Sequence, residues 1–149
     1  MKFSTLTAIS PVDGRYRNKA EGLAAYFSEY ALIKYRVQVE IEYFITLAEF
    51  LPQLNSTVSP SLKEDLRKIY TDFSLEDAAR IKEIESVTNH DVKAVEYLVR
   101  DRLAQLGLDA IAELTHFACT SEDINSLSYA LTVKRATLDV WLPALRQVM

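Results

Sequence analysis

The 149-residue sequence predicts an all-α protein. Three observations carry that expectation. Three glycines and four prolines are too few breakers for a β fold with many turns. Apolar residues recur at three- and four-residue steps over most of the chain. Ser, Thr, Asp and Gly stand where these periodic runs begin or stop. With 49% apolar and 26% charged residues, the chain has an ordinary globular balance and enough apolar material for a core of its own.

Residues 1–20 carry no helical period. Within them, Ser10-Pro11-Val12-Asp13-Gly14-Arg15-Tyr16 reads as a turn-rich loop, punctuated by Pro and Asp-Gly. A long helix starts at about Phe27. Tyr30, Ile33, Val37, Ile41, Phe44, Ile45 and Ala48 form its apolar face. Leu51-Pro52 ends it, since the residue before proline avoids the helical region. Ser59-Pro60 predicts a cap followed by proline at the first helical position, with Leu62, Leu66 and Ile69 as the buried face. Ser74 caps the next helix, Asp77 sits near its open amides, and Ala78, Ile81 and Ile84 supply its stripe.

Thr88-Asn89-His90-Asp91 interrupts the helical run. Val92, Val95, Val99 and Leu103 then line another helix, which Gly107 terminates. A short apolar segment, Ile111 to Phe117, leads to Thr120-Ser121-Glu122-Asp123. Ile124, Leu127, Leu131, Leu138, Leu142, Leu145 and Val148 follow at near-heptad steps, the mark of a long helix with a narrow seam. Pro143 is expected to bend this helix or mark a weak point. The seam still runs at Met149 without a Gly or Asn stop. The expectation is therefore a fragment, or a last helix that docks on another chain.

Composition narrows the function classes. A net charge of −4 offers no basic field for nucleic acid. Charged residues interrupt every apolar stretch, so no segment reads as a membrane span, and the first residues lack the apolar core of a secretory signal. Cys119 is the single cysteine and has no internal partner, which suits a reducing cytosol. His90 and His116 form no familiar metal-ligand spacing with it, so no metal site is expected. A phosphate-binding loop and a dinucleotide fingerprint are both missing.

Three polar segments break the helical pattern, at places where helix starts expose backbone amides and favour anions. In Asp13-Gly14-Arg15-Tyr16, Arg15 is either a solvated turn residue or a two-pronged clamp for phosphate or carboxylate. In Thr88-Asn89-His90-Asp91, Thr88 and Asp91 have the spacing of a capping box. Capping needs no imidazole, however, and His90 is suited to donate to a phosphate or move a proton. In His116-Phe117-Ala118-Cys119-Thr120-Ser121-Glu122-Asp123-Ile124-Asn125, Thr120 and Ser121 are either caps or holders of a small carboxylate. His116 reads as a satisfied core histidine and Cys119 as a small buried hydrophobe.

Together these segments resemble the adenylosuccinate lyases, a family of the fumarase/aspartase superfamily. The strings that carry the likeness are Ser10 to Tyr16, Thr88 to Tyr97 and His116 to Asn125, in that order, and the stretch from Ser28 to Glu40 is also similar. The likeness covers essentially the whole chain and about the first third of a family member. It implies a helical protein that forms homotetramers around long central helices, with each active site drawn from three subunits. It also implies a division into an N-terminal helical domain, residues 1–120, and the start of a central-bundle helix, residues 121–149.

The implied reaction is β-elimination of fumarate from adenylosuccinate, giving AMP, and from the succinyl-carboxamide ribotide of purine biosynthesis. It uses no metal or organic cofactor. The family's base is a serine on a mobile loop and its acid a histidine in a Thr-His segment, and neither motif occurs before Met149. The resemblance thus assigns substrate binding here, and no catalytic residue beyond a possible assisting role for His90. Arg15 and Tyr16 would contact phosphate and ribose. Asn89, His90 and Asp91 would line the nucleotide side, and Thr120 and Ser121 would hold a succinyl carboxylate. His116 is not given the acid's role. Two alternatives stand beside this: a lyase of the argininosuccinate or aspartate type, and a non-catalytic module that binds a partner helix through the Leu127–Val148 seam.

Overall fold

The computed structural model describes residues 4–54 and 57–149, and these contain helices and no strand. After the N-terminal loop come two single-turn helices, α1 (Arg17–Ala20) and α2 (Ala24–Phe27), joined by a 3-10 turn. Four longer helices follow: α3 (Glu29–Phe50), α4 (Pro60–Thr71), α5 (Leu75–Thr88) and α6 (Asp91–Gln105). A 3-10 stretch, Asp109–Leu114, leads to α7 (Ser121–Ala136), a π turn (Thr137–Trp141) and α8 (Leu142–Val148).

The loop expected over residues 1–20 ends earlier than that, because the Tyr16 carbonyl accepts from the Lys19 and Ala20 amides and closes a helical turn. Met1–Phe3, part of the same expectation, lie outside the described residues. Gly14 is buried where the loop folds on itself. A Cβ there would stand 2.9 Å from the Thr5 carbonyl oxygen and 3.0 Å from Ala8 Cβ, so the backbone approach requires glycine.

Local chemistry sets most helix ends. Ser28 Oγ accepts from the Ala31 amide at 3.1 Å and opens α3, and extended Leu51 closes it before Pro52. Ser59 Oγ accepts from the Leu62 amide at 3.2 Å, with Pro60 in the first turn of α4. At α5, Ser74 Oγ accepts from the Asp77 amide at 3.1 Å, and Asp77 Oδ2 accepts from the Ser74 amide at 2.9 Å. Ser74→Ala removes half of this reciprocal cap, and the expected loss is about 1 kcal/mol in urea unfolding. An unmoved midpoint would show that the cap contributes nothing. Gly107 ends α6 at φ +77°, with its amide bonded to the Ala104 carbonyl and the Leu108 amide to the Leu103 carbonyl.

Helix α3 is the axis of the fold, packing against α4, α6 and α7, while α5 packs on α6. Its predicted face is buried from Ile33 to Ala48, in one cluster with Leu66, Ile81, Val95, Val99 and Leu103. A smaller cluster, Val39, Val92 and Ile124, joins α3, α6 and α7.

The predicted seam of the last helix packs within the chain only in part, through Ile124 and Leu131. Helix α7 turns Ile124, Ser128, Thr132 and Ala136 inward, at four-residue steps. Leu127, Leu138, Leu145 and Val148 are exposed. Small side chains let α7 approach the bulky surface of α3 closely, and a four-residue row is a packing ridge in its own right. The helix runs on to Val148 but is not α throughout. The π turn stands just before Pro143, whose ring would otherwise press on the carbonyl of the preceding turn. The weak point expected at Pro143 takes this form. Among the described residues, no helix is long and apolar enough to cross a membrane.

Candidate functional site

The second and third polar segments meet on one side of α3. Asn89 caps the C-terminus of α5 in the left-handed region, at φ +52°, and its amide reaches the Glu85 carbonyl at 2.8 Å. His90 then caps α6. Its Nδ1 accepts from the Lys93 amide at 3.1 Å. The expected Thr88–Asp91 capping box does not form. Thr88 still belongs to α5, its hydroxyl bonds to the His90 carbonyl at 3.3 Å, and Asp91 is already the first residue of α6. The left-handed turn at Asn89 shifts the cap by two residues, and an imidazole performs it. With Nδ1 committed as an acceptor, the proton of the neutral ring sits on Nε2, on a side chain that is half exposed.

Asp91 faces inward from the same turn. Its Oδ2 accepts from Arg36 Nη2 at 2.6 Å and its Oδ1 from the Val92 amide at 2.8 Å. Burial works to raise its carboxyl, but the Val92 amide and the Arg36 guanidinium outweigh that and hold it below the usual carboxylate range. Arg36 Nε also donates to Asn125 Oδ1 at 2.9 Å, one turn into α7.

The approach to α7 is bent sharply. His116 and Ala118 both lie in the left-handed region, at φ +62° and +58°, where residues with a Cβ are uncommon. Two anchors on α3 hold them there. Tyr43 donates to the Phe117 carbonyl at 2.6 Å, and His116 Nδ1 lies 2.6 Å from Glu40 Oε1. Glu40 is wholly buried, and among the described residues its Oε2 has no hydrogen-bond partner. Desolvation pushes its carboxyl above the ordinary range, and the His116 contact only partly offsets this. His116 is thus a core-facing histidine with a buried ionisable partner. Burial also pushes the half-buried Cys119 thiol up, which disfavours a reactive thiolate.

Thr120 caps α7. Its amide donates to Asp123 Oδ2 at 2.7 Å, and its side chain is exposed. Ser121 follows as the first helical residue, half buried, beside the open first-turn amides of a sixteen-residue helix. The first segment stands apart. Arg15 lies over the Tyr16 ring, 4.5 Å from its centroid, and donates to the Tyr16 hydroxyl. Both are exposed, and among the described residues no hydrogen bond or ion pair joins them to the other two segments. Also among the described residues, no three His, Cys, Asp or Glu side chains gather as a metal set.

The residues that bring the segments together are Arg36, Glu40 and Tyr43, at i, i+4 and i+7 along α3. Sequence reasoning passed over them as part of a helix. The available signal was a pair of charged residues set among Ile33, Val37 and Ile41, on a helix too apolar to be solvated on that side.

A family model described as lyase matches residues 14–149, nine-tenths of the chain. The chain belongs to this lyase family. It is similar to adenylosuccinate lyase of Escherichia coli (strain K12), with 49% identity over 152 residues that cover 100% of this chain and 33% of that protein. It is 46% identical to adenylosuccinate lyase of Dictyostelium discoideum, over 99% of this chain and 32% of the relative. It is 45% identical to adenylosuccinate lyase of Legionella pneumophila (strain Corby), over 100% and 33%. The chain spans about a third of the length of the curated relatives it matches. Every candidate residue of this lyase-family chain, from Arg15 to Ser121, lies inside the matched span.

Proposed function

We propose that this chain supplies substrate-binding residues of an adenylosuccinate lyase. The reaction is β-elimination of fumarate from adenylosuccinate, giving AMP, and from the succinyl-carboxamide ribotide of purine biosynthesis. The observation that carries the reading is the match, along the whole chain, to relatives named adenylosuccinate lyase, with all three polar segments inside it. It favours this substrate over an argininosuccinate or aspartate type, and over a non-catalytic module.

The elimination needs a base for a proton beside a carboxylate, an acid for the departing nitrogen, and donors for the charge that builds on the carboxylate. In our reading Arg15 and Tyr16 bind phosphate and ribose. Asn89, His90 and Asp91 line the nucleotide side, where His90 Nε2 donates to the phosphate or assists the acid. Thr120 and Ser121, with the first amides of α7, hold a succinyl carboxylate. No residue of this chain is assigned as the acid or base, and the scheme needs no cofactor. We read residues 1–120 as a helical domain and α7 onward as the start of a homotetramer's central bundle. The exposed Leu127, Leu138, Trp141 and Leu145 support burial against other chains there. A single cysteine suits a reducing cytosol.

The test is a hybrid enzyme in which this chain replaces the matching first third of the Escherichia coli relative. Fumarate release from adenylosuccinate is expected from the hybrid and not from the 149-residue chain alone. A folded hybrid that turns over argininosuccinate or aspartate instead, or nothing, would overturn the substrate assignment.

A further inference from the structure

Helix α3 carries a cation where its neighbours are apolar. Arg36 is 4% exposed, between buried Ile33 and Val37 on one side and buried Val39 on the other. A buried guanidinium is costly unless its donors are paired, and an apolar residue of similar size often packs at least as well. Here the donors go to two different elements. Nη2 reaches Asp91 Oδ2 at 2.6 Å, and Nε reaches Asn125 Oδ1 at 2.9 Å. Asp91 follows directly on Asn89 and His90. Asn125 lies four residues after Ser121, on the same face of α7. Arg36 touches none of Asn89, His90, Thr120 or Ser121 through a hydrogen bond, yet it holds the first turns of both helices that present them.

We propose that Arg36 is a positioning residue that ties the nucleotide-facing and carboxylate-facing halves of the site into one register. The inference rests on the substrate reading above for what each half binds. The geometry itself needs a planar fork. Nε and Nη2 donate from one rigid plane in two set directions, so the start of α6 cannot rotate without dragging the start of α7. A lysine in the same place reaches one acceptor as a point charge.

The experiment compares Arg36→Met, Arg36→Lys and a remote core variant, Leu66→Ala, in the hybrid enzyme. All are assayed well below their melting temperatures. Arg36→Met should lower kcat/KM at least tenfold and weaken inhibition by AMP and by fumarate alike. Arg36→Lys should recover only part of the loss, and Leu66→Ala should keep its kcat/KM despite a lower Tm. Unchanged kcat/KM in Arg36→Met, or weakened inhibition by only one of the two ligands, would overturn the proposal. So would full rescue by lysine.

Hydrogen exchange on the 149-residue chain is the second arm. Arg36→Met should speed exchange in the first two turns of α6 and of α7 together and leave α4 unchanged. Loosening of one helix alone would overturn the clamp. If the parent hybrid is inactive, the substrate reading fails while the exchange arm still tests Arg36.

Discussion

Replacing His116 with alanine should lower the unfolding free energy by about 3–5 kcal/mol near pH 7. The reason is the group it leaves behind. Glu40 is wholly buried on α3, His116 is its hydrogen-bond partner at 2.6 Å, and Oε2 has none among the described residues. Removing the imidazole leaves Glu40, in a low dielectric, with only the backbone amide of residue 116 to offset its burial, and that dominates the loss. Glu40→Gln should be far milder, because the amide keeps the shape and a hydrogen bond to His116 and takes the charge away. Adding Glu40→Gln to His116→Ala should therefore recover part of the stability, the part due to the buried charge.

The pH dependence has a definite sign. Burial raises the Glu40 carboxyl in the folded chain above its ordinary value. Its contribution is thus fully present below the unfolded glutamate pKa of about 4.3, and it is lost as pH rises through the raised value. The deficit of His116→Ala should grow in urea titrations as pH rises above the ordinary glutamate range. A deficit under about 1 kcal/mol at pH 7 would show that His116 does not compensate a buried charge.

The second large effect is a separation of the two halves of the site. In the hybrid enzyme, Arg15→Ala should weaken AMP inhibition on the order of a hundredfold, as the loss of about 3 kcal/mol of charge-assisted hydrogen bonding predicts. It should leave fumarate inhibition near its parent value. Ser121→Ala should do the reverse and weaken fumarate, by about tenfold for one hydrogen bond to a carboxylate. Arg15 is exposed and its guanidinium stacks on Tyr16, so its removal disturbs no core. The changes should therefore appear without a shift in Tm. Equal weakening of both ligands by either variant would remove the division of roles.

The sequence by itself determined the helical class, most helix ends and the polar segments. Each of those features arises within a few residues. Ser28, Ser59, Ser74 and Thr120 cap helices, and Gly107 ends one, through contacts no more than four positions away. Even there, a local choice escaped it. Which residue caps α6 depends on the direction the chain takes after Asn89, and the left-handed turn there handed the role to His90. Resemblance supplied what periodicity lacks, namely a proposal for what the polar segments bind.

Only the tertiary structure decided how those segments come together. Arg36 pairs with Asp91 and Asn125 across 55 and 89 positions, and Glu40 with His116 across 76. The apolar setting of Arg36 and Glu40 among Ile33, Val37 and Ile41 marks them as buried, but nothing local names the partners they meet. The inner face of α7 was also decided there. Leu127 stays exposed and Leu131 packs on the core, while Ile124, Ser128, Thr132 and Ala136 are buried on a helix whose main neighbour is α3. A helix packs by the face whose shape fits its neighbour at close range, and that neighbour lies about ninety residues earlier in the chain.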